Sequence, residues 1–114
     1  MSMATIDRER QARRKGDILR ILLQDYRRNM TSVRALNGAL DMLGEPVGPD
    51  SMQWDLIYLA DQEYIKIWRV KDRPGFRHDR QSSEDPEIIE FAKLMPKGIQ
   101  LLDGNAAEDP QVKF

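Results

Sequence analysis

A helix, a turn, a second helix and a β-hairpin arm, met in that order from Thr31 to Val70, predict an α+β fold of the winged helix-turn-helix class. Three observations carry this. Val33, Leu36, Leu40 and Leu43 repeat at the three-and-four spacing of a buried helical stripe. Gly44 to Pro49 holds two glycines and two prolines and cannot continue a helix. Tyr64 to Val70 alternates and is rich in β-branched and aromatic residues, with Ile88 to Met95 as its partner strand. The expected architecture is three helices, a two-stranded wing and a short C-terminal helix, the first helix being long.

Helix 1 is expected from about Thr5 to Arg28, with Thr5 as its N-cap and Ala12, Leu19, Leu22, Leu23 and Tyr26 at helical spacing. Its first half, Asp7 to Lys15, is almost entirely charged, so core contacts fall to Ile18 through Tyr26, and Gly16 marks a point where the helix could break. Thr31 or Ser32 caps helix 2, and Gly44 stops it. Asp50 or Ser51 caps helix 3, which runs to about Gln62 with Met52, Leu56 and Leu59 inward and Gln53, Trp54, Ile57 and Asp61 outward. The wing loop, Lys71 to Glu87, is longer than most hairpin loops. Pro96 opens a short helix through Leu102, which Gly104 ends.

The length of 114 residues and 40% apolar content suit one modest core. The absence of cysteine removes disulfides, thiolate zinc sites and thiol nucleophiles together. No apolar run approaches the roughly 20 residues that span a bilayer, so no membrane partner is expected. Net charge is only -1, but residues 1–34 hold nine Lys or Arg against four Asp or Glu, while the remainder holds nine against fifteen. Local cationic density is what a phosphate-binding surface needs, and it survives on a near-neutral chain.

Recognition helices set their amino-terminal side chains against base edges. That role falls here to Ser51, Gln53 and Trp54, although Asp50 and Asp55 lie beside them and Trp54 with Ile57 makes an apolar patch suited to a protein contact. Lys71, Arg73, Arg77 and Arg80 surround Gly75 and Phe76 and form the wing's cationic group, placed to meet phosphates or a minor groove and diluted by Asp72 and Asp79. Arg8, Arg10, Arg13, Arg14 and Lys15 form a second basic cluster. His78 has no second imidazole or thiol to complete a metal site, and no phosphate loop, serine elbow or paired catalytic motif is present. The chain therefore reads as a non-enzyme with no catalytic residues, metal, cofactor or small-molecule substrate.

Val47-Gly-Pro-Asp-Ser-Met-Gln-Trp-Asp-Leu-Ile-Tyr-Leu-Ala-Asp-Gln-Glu-Tyr-Ile65, followed by Lys93-Leu-Met-Pro-Lys-Gly-Ile-Gln-Leu-Leu-Asp-Gly104, resembles a family of small winged-helix proteins of Mu-like phages and prophages. The resemblance covers roughly residues 14 to 112. It implies a winged-helix fold, a transcription-regulator-like role on duplex DNA and a place in the cytoplasm of a bacterial host cell. Three departures stand out: Glu63 where that family has Gly, Gln53 and Trp54 where Arg is frequent, and an extended wing loop. The expected organisation is a charged helical extension over 1–15, a winged-helix domain over 16–104 and a flexible tail over 105–114. The alternative reading is a protein-interaction module without specific DNA binding, using Trp54, Ile57 and Tyr58, or a homodimer seam on the N-terminal helix.

Overall fold

The computed structural model describes residues 3–27, 30–76 and 84–114, with side chains from residue 7 onward. Its elements are α1 (Met3–Gln24), β1 (Thr31–Ser32), α2 (Val33–Met42), α3 (Pro49–Asp61), β2 (Ile65–Arg69), β3 (Ile89–Leu94) and α4 (Pro96–Leu102), with a single 3-10 turn over Val70–Asp72. Four helices and a small antiparallel sheet of order β1-β3-β2 make an α+β fold compatible with a winged helix.

The two-stranded wing needs correction. Thr31 and Ser32 form a short third strand, Thr31 facing Ala92 and Ser32 facing Phe91 across β3. Two residues are too few to show alternation, so this strand leaves no sequence signal. Ser32 then caps α2 as anticipated, its Oγ accepting a hydrogen bond from the Ala35 backbone N–H at 3.0 Å. β2 meets β3 from Ile65 opposite Leu94 to Trp68 opposite Phe91, and a bulge between Trp68 and Arg69 shifts Arg69 to Ile89.

Helix boundaries depart from expectation at three places. α1 begins by Met3 rather than at Thr5 and ends at Gln24 rather than Arg28; Asp25 beyond it accepts a hydrogen bond from the Thr31 hydroxyl at 3.1 Å. Gly48, not Asp50 or Ser51, is the N-cap of α3, because Pro49 takes the first helical position, where its missing N–H costs nothing. Nor does α1 break at Gly16.

The core joins all layers: Ile18, Leu19 and Leu22 of α1, Leu36 and Leu40 of α2, Met52, Leu56 and Leu59 of α3, and Ile89, Ala92 and Leu94 of β3. Each large aliphatic side chain removed from water here contributes about 1.5–3 kcal/mol before entropy is counted. Leu23, Tyr26 and Leu43, expected inside, are exposed; Leu43 is the C-cap of α2, where the stripe has already left the core.

α2, α3 and α4 end in the same way. The N–H of Glu45 reaches back to the Leu40 carbonyl, that of Tyr64 to Leu59 and that of Asn105 to Gln100, the pattern of a Schellman turn with a left-handed residue after the cap. Gly44 and Gly104 occupy that position at φ +76° and +74°, but Glu63 occupies the third at φ +64°. An L side chain there is strained by about 1–2 kcal/mol. Glu63→Gly is therefore expected to raise the melting temperature by a few degrees, the gain being trimmed by glycine's larger unfolded-state entropy. A melting temperature equal to or below that of the parent would contradict the strain.

Candidate nucleic-acid interface

The middle of α3 lies against α1, while Pro49, Asp50 and Ser51 of its first turn are exposed. Arg14 Nε donates to Asp55 Oδ2 at 2.5 Å, and Asp55 is nearly fully buried. One residue on, Lys15 is 7% exposed and its ammonium stands 4.8 Å from the centre of the Tyr58 ring. The basic cluster of α1 is thus split by helix geometry. Arg14 and Lys15 turn toward α3, while Arg8, Arg10 and Arg13 are exposed and have no hydrogen-bond or ion-pair partner among the described side chains.

An open cavity of about 310 Å³ lies between these helices, lined by Gln11, Arg14, Lys15, Ser51, Trp54, Asp55, Tyr58 and Gln111. Ser51 and Trp54 therefore stand together, as expected of residues on one surface, and Trp54 is 70% exposed. Gln53 does not join them. Its Nε2 donates to the Ile89 carbonyl at 3.1 Å and its Oε1 accepts from the Ile89 N–H at 2.8 Å. The side-chain amide thereby pairs the edge of β3 beyond the end of β1, as a further strand residue would. Gln53 is a structural residue, which corrects its assignment as a base reader. Ile57 and Tyr58 are partly buried against the core, so Trp54 is what remains of the apolar outer patch.

The wing's cations are also engaged. Lys71 Nζ lies 2.9 Å from Glu87, and Arg73 meets Glu90 at 2.5 Å and Glu84 at 2.9 Å. The carboxylates hold the Arg73 guanidinium above its ordinary value through hydrogen bonds, to Glu90 first, and Arg73 in turn holds the Glu90 carboxyl below the usual range. Pairs this exposed are screened by solvent and contribute little, so a phosphate could displace one cheaply. The freed carboxylates would then face the same phosphates. Within the described wing, Arg69, Lys71 and Arg73 stand against Asp72, Glu84, Asp85, Glu87 and Glu90. Lys71 and Arg73 are thus engaged with carboxylates of the same wing. Arg77, Arg80 and His78 lie outside the described residues.

The tail expected to be flexible over 105–114 is docked, and this is a correction. Asp109 accepts hydrogen bonds from the Tyr58 and Tyr64 hydroxyls at 2.9 Å each, Val112 is buried in the core cluster, and the Lys113 N–H donates to the Ala12 carbonyl at 3.0 Å. The tail supplies Gln111 as a wall of the cavity. Ala12 and Lys15 are buried as well, so the last turn of the expected 1–15 extension packs on the rest of the described chain. Burial first, then the hydrogen bond and charge of Asp109, push both tyrosine pKa values from 10.0 up to about 12.

That shift has a sign that can be checked. Folding holds these protons more tightly than the unfolded chain does, so the contribution is complete below pH 10 and is lost as pH rises from about 10 to about 12. In an ultraviolet tyrosinate titration, two of the three tyrosines are expected to ionise late, near 12, and Asp109→Asn to bring both earlier. Early ionisation of all three in the parent would contradict the docked tail.

No protein-family model, curated protein or solved structure matches the chain. Among the described residues no group of three or more His, Cys, Asp or Glu side chains could hold a metal ion, and no helix is long and apolar enough to cross a membrane.

Proposed function

We propose that this is a non-catalytic nucleic-acid-binding protein of winged-helix type, of the phage or prophage kind its sequence resembles, acting in the host cytoplasm. The observation that carries the reading is the set of exposed arginines Arg8, Arg10 and Arg13 on the half of α1 that adjoins the first turns of α3. They are free of hydrogen bonds and ion pairs among the described side chains, though Arg13 feels the charge of Glu45. Arg10 stands one helical turn before Arg13 and Arg14, and Arg8 one turn before Gln11, which itself lines the cavity with Ser51 and Trp54. Phosphate contacts therefore fall to α1 rather than to the wing.

Fluorescence anisotropy on random duplex DNA at low and physiological salt tests this. Replacing Arg8, Arg10 and Arg13 together by Ser is expected to weaken binding to all sequences and to flatten the dependence on log salt by about 0.9 for each phosphate no longer neutralised. Lys71→Ser with Arg73→Ser is expected to change little. Unaltered binding by the triple variant sinks the assignment to α1.

The 70% exposure of Trp54 favours a second reading, a protein-interaction module or self-association without DNA. Sedimentation of the full chain decides it: a parent dimer that Trp54→Ser dissociates supports this reading, whereas a monomer with tight, salt-sensitive DNA binding rejects it.

A further inference from the structure

Lys15 is the residue the fold leaves unexplained. More than nine-tenths of it is buried, yet its ammonium has no carboxylate and no hydrogen-bond acceptor among the described residues, only the face of the Tyr58 ring. The stem is what is enclosed; the ammonium itself keeps an opening to the solvent of a cavity, and a lysine so enclosed is usually paired. This one lines the cavity between α1 and α3.

The surroundings of Lys15 favour an anion. Among the described residues Asp55 is the one carboxylate lining the cavity, and Arg14 already neutralises it. The Ser51 hydroxyl lies in the first turn of α3, whose N-cap is Gly48 and whose first N–H groups have no side-chain cap, so the positive end of the helix dipole adds to the same field. Trp54 supplies an exposed aromatic plane, and Gln11 and Gln111 supply amides with both donors and acceptors. A cation for a phosphate, an indole for stacking and amides for a base edge form one chemical set. The volume of about 310 Å³ is near the lower limit for small-molecule sites and suits a single unit.

We propose that this cavity binds one nucleotide, its phosphate on Lys15 and Ser51 and its base stacked on Trp54. A base inside a duplex is not free to stack on Trp54, so the nucleotide is a free monophosphate or an unpaired unit of a strand. The inference deepens the nucleic-acid reading and rests on it only for the second of these sources.

The test is titration of the full chain, followed by tryptophan fluorescence, with adenosine and cytidine monophosphates, a short single-stranded oligonucleotide, and a duplex of the same sequence. Saturable quenching by a monophosphate or by the single strand is expected, about tenfold weaker in Lys15→Met, which keeps the aliphatic stem. Trp54→Leu changes an exposed residue and leaves folding intact; followed by calorimetry, it is expected to weaken binding by a similar factor. Quenching by the monophosphates assigns the free nucleotide as the source, and quenching by the oligonucleotide alone assigns the strand. No saturable binding of either, or binding unchanged in both variants, overturns the site. Duplex binding that needs Arg8, Arg10 and Arg13 but neither Lys15 nor Trp54 overturns the site while upholding the nucleic-acid reading. Monophosphate binding without any affinity for strands does the reverse.

Discussion

Arg14→Met is expected to destabilise the protein by about 3 kcal/mol, more than any other single charge removal among the described residues. The reason is what it leaves behind. Asp55 is 4% exposed and has Arg14 as its one ionic partner among the described residues, so the variant strands a carboxylate in the interior. Breaking a buried pair from one side costs about 3–5 kcal/mol, and the lower end applies because 17% of the Arg14 side chain still meets water. The double variant Arg14→Met with Asp55→Leu removes both charges and is expected to recover most of the loss, since two well-packed apolar groups often match a buried pair. Urea unfolding measures both, as a change in midpoint at constant slope. Equal destabilisation of the single and double variants would show that stranding the carboxylate is not the cause. Because the pair also sets α1 against α3, Arg14→Met is expected to weaken ligand binding in the cavity as well.

This pair shows how far the sequence can be read. Met52, Leu56 and Leu59 mark the inward stripe of α3, but the sequence sets Asp55 beside Ser51 on the outer surface and the charged half of α1 through Lys15 outside the core, whereas both residues are buried. What spacing cannot give is the partner: Arg14 and Asp55 are 41 residues apart, and only the packing of α1 on α3 joins them. The helices and both longer strands are legible because each repeats a pattern over several turns or pleats. β1 is not, being two residues long. Gln53 misleads because a glutamine on an outer helical face has the same local signature whether it meets a base or the backbone of β3. The docked tail is hidden by its composition. Asn105 to Phe114 has the polar, proline-containing look of a loose end, yet one aspartate between two tyrosine hydroxyls and one buried valine hold it in place. The single hint is Gly16, a glycine in the middle of a helix that does not break.

Gly16 and Gly38 yield opposite results from the same substitution. Both lie inside helices, where Gly→Ala ordinarily gains up to about 1 kcal/mol. A methyl at Gly38 would meet nothing within 4 Å, so Gly38→Ala is expected to stabilise the chain by about 0.5–1 kcal/mol. At Gly16 the same methyl would lie 1.9 Å from the Lys113 carbonyl oxygen and 2.9 Å from its carbon. Backbone cannot swing aside as a flexible side chain does, so relief requires the tail to leave α1. With it go the Lys113 to Ala12 hydrogen bond, the burial of Val112 and the bonds from Tyr58 and Tyr64 to Asp109. Freed chain entropy returns part of this, and the net loss is expected to be about 2 kcal/mol. Stability alone would not show the mechanism, so two further readouts accompany the melt. In Gly16→Ala the late-ionising tyrosines move back toward 10, and the tail past Gly104 becomes open to proteolysis while the rest stays resistant. A Gly16→Ala protein that is more stable than its parent, with its tyrosines still ionising late, would mean that the tail does not lie on α1. The cavity depends on the same packing: Gln111 is one of its walls, so the variant that releases the tail is also expected to loosen whatever that cavity holds.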